Sequence, residues 1–346
     1  MPIPNSPNSI CIMRLSAIGD VCHAVAMVQA VQRRHPQAKI TWVVGKVEAQ
    51  LLAGLEGVEL VVFDKRLGWQ GYKQLWAALK SQRFDVLLHM QVALRASIAT
   101  LGIKAKAKVG FDKARAKEGQ WLFVNHKIEP QSEPHVLDGF MNFARAVGVT
   151  DTKPTWKMPL TDAELSFAEQ HIAGDQRTLI ICPAASKAER NWLADRYAQV
   201  ADFALSQGMK VMLCGGPAEL EKQLAADIVA HAQGKITNLV GQTNLKQLLA
   251  LLGRASLVIA PDTGPAHMAV TQGTPVIGLY AHSNPKRTGP YLSLDRVVSR
   301  YQQHIEVQTG KPMAQIPFGT RAKGSELMHD IDVESVIEQV KQALRA

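Results

Sequence analysis

The sequence predicts an α/β protein built from two doubly wound, Rossmann-like domains, on three observations. Short apolar stretches alternate with longer amphipathic ones, which requires crossover helices and therefore parallel strands. The alternation restarts after Val149-Thr150-Asp151-Thr152-Lys153-Pro154, a polar stretch ending in proline. The 346 residues exceed one typical domain and suit two, each with its own core. Domains are expected at 1–152 and 153–330, followed by a C-terminal helix within 331–346.

In the first half, apolar runs place strands at 10–15, 40–44, 60–63, 85–89 and 108–111. Amphipathic stretches between and after them place helices near 20–35, 47–54, 69–82, 92–102 and 135–147. In the second half, strands are expected at 178–182, 210–213, 236–238, 257–260 and 276–280. Helices near 162–173, 195–207, 217–232, 244–253 and 264–272 separate them, and a last one covers 333–345 behind the capping signal Asp330-Ile331-Asp332. Ligands of such sheets bind beyond the carboxyl ends of the strands, so both domains are expected to turn those loops toward a common cleft.

A hydrophobic content of 47% with 20% charged residues is that of an ordinary globular protein, not a disordered one. The formal charge of +9 points to an acidic partner: nucleic acid, an anionic membrane surface or a phosphorylated glycan. The cations are spread through Arg33-Arg34, Lys104-Lys106-Lys108, Lys113-Arg115-Lys117 and Lys286-Arg287, and each cluster alone reads as a solvated face. The interleaved aromatic pattern of a strand-binding protein is missing, which counts against nucleic acid. Cys11, Cys22, Cys182 and Cys214 have neither pairing nor metal-ligand spacing, which fits a reducing cytoplasm. The polar N-terminus lacks a signal-peptide layout and no apolar run approaches the roughly 18 residues of a membrane span, so a chain that is soluble or peripheral on a membrane is expected.

Two strand-to-helix turns carry the chemistry. In Ala260-Pro261-Asp262-Thr263-Gly264-Pro265-Ala266-His267, Thr263 or Asp262 can cap the helix, Gly264 lets backbone approach a ligand, and Pro265 is pre-set for the first turn. Free amides and the helix dipole would attract a diphosphate, with His267 one turn in. A well-capped helix with no ligand explains the same residue types. In Arg14-Leu15-Ser16-Ala17-Ile18-Gly19-Asp20, the aspartate is either a site carboxylate or a first-turn helix acid. Neither G-x-G-x-x-G nor G-x-x-x-x-G-K-[ST] occurs, against a hydride-transfer enzyme and a P-loop NTPase.

With Pro183-Ala184-Ala185-Ser186-Lys187-Ala188-Glu189-Arg190-Asn191-Trp192 between them, these turns make the chain resemble the bacterial heptosyltransferases of glycosyltransferase family nine over nearly its whole length. The resemblance implies a GT-B fold, with the acceptor site mainly in the first domain and the ADP-sugar site mainly in the second. It implies inverting transfer of heptose from ADP-L-glycero-D-manno-heptose to the 3-deoxy-manno-octulosonic acid (Kdo) of lipid A, with no cofactor and no obligatory metal. By position, Asp20 matches the family's general base, and Arg14 and Gly19 fall at the acceptor. Asp262, Thr263, Gly264 and His267 match its diphosphate motif, with Asp262 assigned to loop hydrogen bonding or to holding His267. Ser186 and Arg190 match phosphate- or sugar-reaching positions, Arg190 in place of a usual lysine and Ala185 in place of a frequent hydroxyl residue. Glu219 matches an acid that binds ribose, and Gln242 and Thr243 fall at the adenine pocket. Lys113, Arg115 and Lys117 would form an acceptor loop, and Lys286 and Arg287 have no assigned role. A later-step heptosyltransferase, another GT-B sugar-nucleotide enzyme and a non-catalytic glycan or nucleic-acid binder are the alternative readings.

Overall fold

A computed structural model describes residues 2–345, which fall into two compact units dividing between Pro159 and Leu160. The division lies beyond the expected 152/153 because the following residues fasten to the first long helix. Trp156 Nε1 donates to Cys22 O at 2.8 Å, and Lys157 N donates to Gln29 Oε1 at 2.9 Å.

The first unit runs β1 (Ser9–Met13), α1 (Ile18–Arg34), β2 (Lys39–Gly45), α2 (Lys46–Leu52), β3 (Val58–Phe63), α3 (Trp69–Ala78), β4 (Phe84–His89), α4 (Leu94–Ala99), β5 (Ala105–Gly110), β6 (His126–Lys127) and α5 (Val136–Ala146). The sheet order is β3-β2-β1-β4-β5-β6, with every pair parallel. The central strands β1 and β4 are buried on both faces, as near-continuous apolar runs require. Helix α1 packs on α5, whose Leu137, Phe140, Phe143 and Ala144 are buried.

The second unit runs α6 (Asp162–His171), β7 (Thr178–Ile181), α7 (Ala194–Ser206), β8 (Lys210–Leu213), α8 (Glu219–His231), β9 (Thr237–Asn238), α9 (Leu245–Arg254), β10 (Leu257–Pro261), α10 (Gly264–Thr271), β11 (Val276–Tyr280), α11 (Pro285–Thr288), β12 (Val298–Ser299), α12 (Tyr301–Thr309) and α13 (Val333–Arg345). Its parallel order, β12-β11-β10-β7-β8-β9, repeats the permutation of the first unit. Helix α13 belongs to this unit: Val336 and Val340 are fully buried in its core, and Trp192 Nε1 donates to Ile331 O at 3.0 Å. Asp332 caps α13, accepting from Ser335 N at 2.7 Å and from Arg300 Nη2 at 2.6 Å. Burial alone would raise the Asp332 carboxyl, but these bonds and the arginine charge hold it below the usual range.

The elements that sequence patterning missed are β6, β12, α11 and α12. The two strands and α11 span two and four residues, too short for a period to register. Helix α12 buries only Tyr301 and Ile305, so its apolar stripe is one turn long.

Each unit thus has one topological switch point, between β1 and β4 and between β7 and β10, where adjacent strands send their chains in opposite directions. All four cysteines are buried, and burial pushes their thiols far up, out of the reactive range.

Candidate active site

At the first switch point the chain leaves β1 through Arg14 to Ala17 and enters α1. The N-cap is Ala17, which has no side-chain oxygen to offer, and Asp20 in the first turn reaches back so that its Oδ2 accepts from Ala17 N at 3.2 Å. The same Oδ2 takes an ion pair from Arg14 Nη2. Arg14 is itself held, donating through Nη1 to Met90 O at 2.6 Å and lying 5.1 Å over the Phe140 ring. Its side chain is 11% exposed and that of Asp20 is 31%, so the arginine is the buried support and the carboxylate the accessible group. Gly19, one residue before Asp20, is buried.

The turn is fixed from three sides. Gln91 Oε1 accepts from Leu15 N at 2.6 Å, Trp42 Nε1 donates to Arg14 O at 3.0 Å, and Gly45 N donates to Leu15 O at 2.9 Å. A Cβ on Gly45 would sit 2.5 Å from Leu15 O, so glycine is required by that approach. Gln91 is supported in turn by Gln120, fully buried, whose Nε2 donates to Gln91 O at 3.2 Å and to His89 O at 2.9 Å. His89 Nε2 lies 2.9 Å from Ser97 Oγ, and burial drives its imidazole down to about 3, keeping it neutral. Sequence reading missed Gln91 and Gln120; an amide in a polar loop carries no pattern. The three cations expected in an acceptor loop are not equivalent, because Arg115 Nη1 pairs with the buried Asp112 at 2.9 Å.

At the second switch point Thr263 is the N-cap of α10, in extended backbone, and its side chain makes no capping bond. The expected cap is therefore not formed. Asp262 does not supply one either, since its Oδ2 accepts from Ser283 Oγ at 2.6 Å and from Thr288 Oγ1 at 3.4 Å. Asp262 is thus engaged by the loop that follows β11. Without a cap, the first amides of α10 and its dipole are directed at the loop crevice, an arrangement that favours an anion.

Arg190 stands beside those amides. Its Nη2 donates to Ser186 Oγ at 2.7 Å, its Nη1 donates to Asp262 O at 3.4 Å and lies 3.9 Å from Asp262 Oδ2, and its buried Nε makes no hydrogen bond. Thr243 Oγ1 and Asn284 Nδ2 are likewise buried without a bond. Buried polar atoms of this kind cost free energy unless something binds them. His267, on the first turn of α10, is buried. Gln242 is exposed, with its Nε2 on Asn238 O at 2.8 Å.

Glu219 opens α8 as an exposed first residue. The loop it follows is closed by a different acid, Glu221, whose Oε2 accepts from Gly216 N at 2.5 Å. A Cβ on Gly215 or Gly216 would meet Glu221 at 2.7 or 2.8 Å, so the glycine pair and the glutamate form one unit. Sequence reading passed over Glu221 and Ser283; Asn284 and Thr288 lie in the segment 284–291, in which it singled out only Lys286 and Arg287. Lys286 and Arg287 lie on α11, where Asn284 Oδ1 accepts from Lys286 N at 3.0 Å. His282 bonds Glu189 O at 2.7 Å through Nε2, and burial lowers its pKa.

Among the described residues no group of three or more His, Cys, Asp or Glu side chains is gathered as a metal ion would need. A depression of about 320 Å³ lined by Arg83, Asp85, Lys104 and Lys106 lies at the starts of β4 and β5, at the far end of the sheet from the turn that carries Asp20.

The sequence profile of Glycosyltransferase family 9 (heptosyltransferase) matches residues 72–316. The chain is 49% identical over 343 residues to the lipopolysaccharide core heptosyltransferase OpsX of Haemophilus influenzae, covering 99% of each protein. Among solved structures it superposes on a glycosyl transferase family 9 protein from Veillonella parvula with a TM-score of 0.80 at 22% identity, covering 100% of this chain and 99% of that one. On the Escherichia coli heptosyltransferase WaaC with ADP the TM-score is 0.72 at 19% identity, covering 97% and 99%.

Proposed function

The chain belongs to glycosyltransferase family 9 and is a glycosyltransferase of GT-B fold, and from that premise we propose that it moves heptose from ADP-L-glycero-D-manno-heptose to the Kdo of the lipopolysaccharide inner core, with inversion and without a metal. The observation that carries this reading is the uncapped start of α10 beside Arg190, which together form a receptor for the diphosphate of a sugar nucleotide.

In this mechanism Asp20 is the base. Arg14 and Ala17 N both occupy Oδ2, so Oδ1 takes the proton of the acceptor hydroxyl as its oxygen bonds to the anomeric carbon. A carboxylate is a weak base, and it works because the sugar is already cation-like and the hydroxyl acidifies as the bond forms. The bond from the anomeric carbon to the phosphate oxygen breaks on the opposite face, and ADP leaves with the electron pair. Amides of Gly264 and Ala266 and the Arg190 guanidinium take up its charge, preorganised and without reorienting. Ser186 positions Arg190, and Asp262, an anion, braces the loop through Ser283 and Thr288 rather than touching phosphate. Glu219 binds ribose, Gln242 and Thr243 line the adenine, His267 adds a donor to the phosphates, and Arg14 and Gly19 border the acceptor. The enzyme works in the cytoplasm against the inner membrane; among the described residues no helix is long and apolar enough to cross one.

The test is ADP release from ADP-heptose in buffer containing EDTA, with Kdo-lipid A, with a once-heptosylated acceptor, and with none. Release with Kdo-lipid A alone is the expected outcome. Release only with the heptosylated acceptor moves the enzyme one step later in core assembly, and release with neither refutes both acceptors.

A further inference from the structure

Along one side of the first unit the surface is apolar and cationic at once. Between β3 and the end of α3, Leu67 and Trp69 are 42% and 58% exposed. Trp69 belongs to a ladder of rings, with centroids 5.5 Å from Tyr72 and 5.4 Å from Trp76, and Phe63 backs Tyr72 at 5.0 Å. The ladder is tied to the α4 segment: Tyr72 Oη donates to Arg95 O at 3.4 Å, and Trp76 Nε1 to Ala99 O at 2.9 Å. Leu94, which opens α4, and Leu101, just after its end, are exposed at 46% and 61%.

The same segments carry the exposed cations Lys65, Arg66, Lys73 and Arg95. The nearby acids are already engaged. Asp64 accepts from Arg66 N at 3.0 Å and pairs with Lys46 at 3.3 Å, and Glu118 Oε2 accepts from Leu94 N at 2.7 Å. Large apolar side chains left exposed on neighbouring segments mark a candidate interaction surface.

We propose that this face, with Leu67, Trp69, Leu94 and Leu101 inserted and Lys65, Arg66, Lys73 and Arg95 on phosphate headgroups, docks the enzyme on an anionic lipid bilayer. The inference rests on the reading of the acceptor as a lipid-anchored glycan, which is met at a bilayer surface. Indole and leucine side chains enter the boundary between headgroups and acyl chains, while lysine and arginine stay with the phosphates. Nucleic acid fits less well, because these rings pack tilted or edge-on against one another and the leucines offer no surface for base stacking. A second copy of the chain would bring cation against cation across a two-fold contact.

The experiment is co-sedimentation of the full chain with vesicles of phosphatidylcholine alone and with phosphatidylglycerol added, all free of glycolipid. Salt-sensitive binding to the anionic vesicles is expected, and a Leu67→Ser/Trp69→Ser variant should bind at least roughly tenfold less. Lys65→Ser/Arg66→Ser should weaken binding and flatten its salt dependence. All four side chains are exposed, and a thermal melt checks that each variant folds. The proposal is overturned if the parent ignores anionic vesicles, if it binds neutral ones equally, or if both variants bind like the parent. Dimerisation lost in the first variant without vesicle binding would instead assign the face to a second copy. Because the vesicles carry no acceptor, failed transfer with intact vesicle binding counts only against the proposed function. Intact transfer to a deacylated acceptor by a chain that ignores anionic vesicles counts only against this surface.

Discussion

Asp20 receives two bonds on one oxygen, and its partner Arg14 is the more deeply buried of the two, so the carboxylate is held from the protein side and open on the other. The sequence marked both residues, but only coordinates show that the arginine grips the expected base. Arg190 is the opposite case: its place in the motif made it a candidate for the diphosphate, whereas its bracing by Ser186 and Asp262 was not legible. Arg190→Ala should weaken ADP binding by about 1.5–3 kcal/mol, the size of a charged hydrogen-bond contribution, read as a shift in ADP affinity by calorimetry. His89 supplies a pH prediction. Its folded pKa, near 3, lies below the ordinary 6.5, so the unfolded chain binds the extra proton and stability falls as pH drops through that interval. Between pH 7.5 and 5.0, urea unfolding of His89→Gln should lose about 2 kcal/mol less than the parent. Equal losses would mean that the imidazole is protonated in the fold.

At the scale of elements, the strand cores were legible because a buried parallel strand is an apolar run with little else in it. The edge strands β6 and β12 were missed because two residues have no period, whereas β9, equally short, was marked through the neighbouring Ile236. Capping chemistry predicted where α10 begins and overpredicted how it is capped, since Asp262 is taken up by Ser283 and Thr288, partners from a loop far along the chain. That missing cap is the feature a ligand would exploit. Glu221 and the Gly215-Gly216 pair show the same limit, because side-chain closure of a turn is a tertiary event. Helix α13 is structural: Val336→Ala and Val340→Ala should each cost about 2 kcal/mol through lost burial and a residual cavity, seen as lower urea midpoints without altered ADP affinity. A loss of ADP affinity in folded Val340→Ala would instead tie α13 to the site.

For the whole molecule, the repeated strand permutation explains why one sequence pattern recurs in both halves without residue similarity: each half solves the same packing problem and places its working loops at its own switch point. The first unit ends at Pro159 rather than at the expected 152, and Trp156 and Lys157 bind back to α1. Division of labour is the central claim, with the base in the first unit and the diphosphate receptor in the second. A unit that only binds donor should keep doing so when the base is lost. The most direct test is to measure ADP-heptose affinity and ADP release to acceptor on the same preparation of Asp20→Ala. The account predicts turnover lower by on the order of 10² or more with donor affinity nearly unchanged. Full turnover in that variant would contradict it.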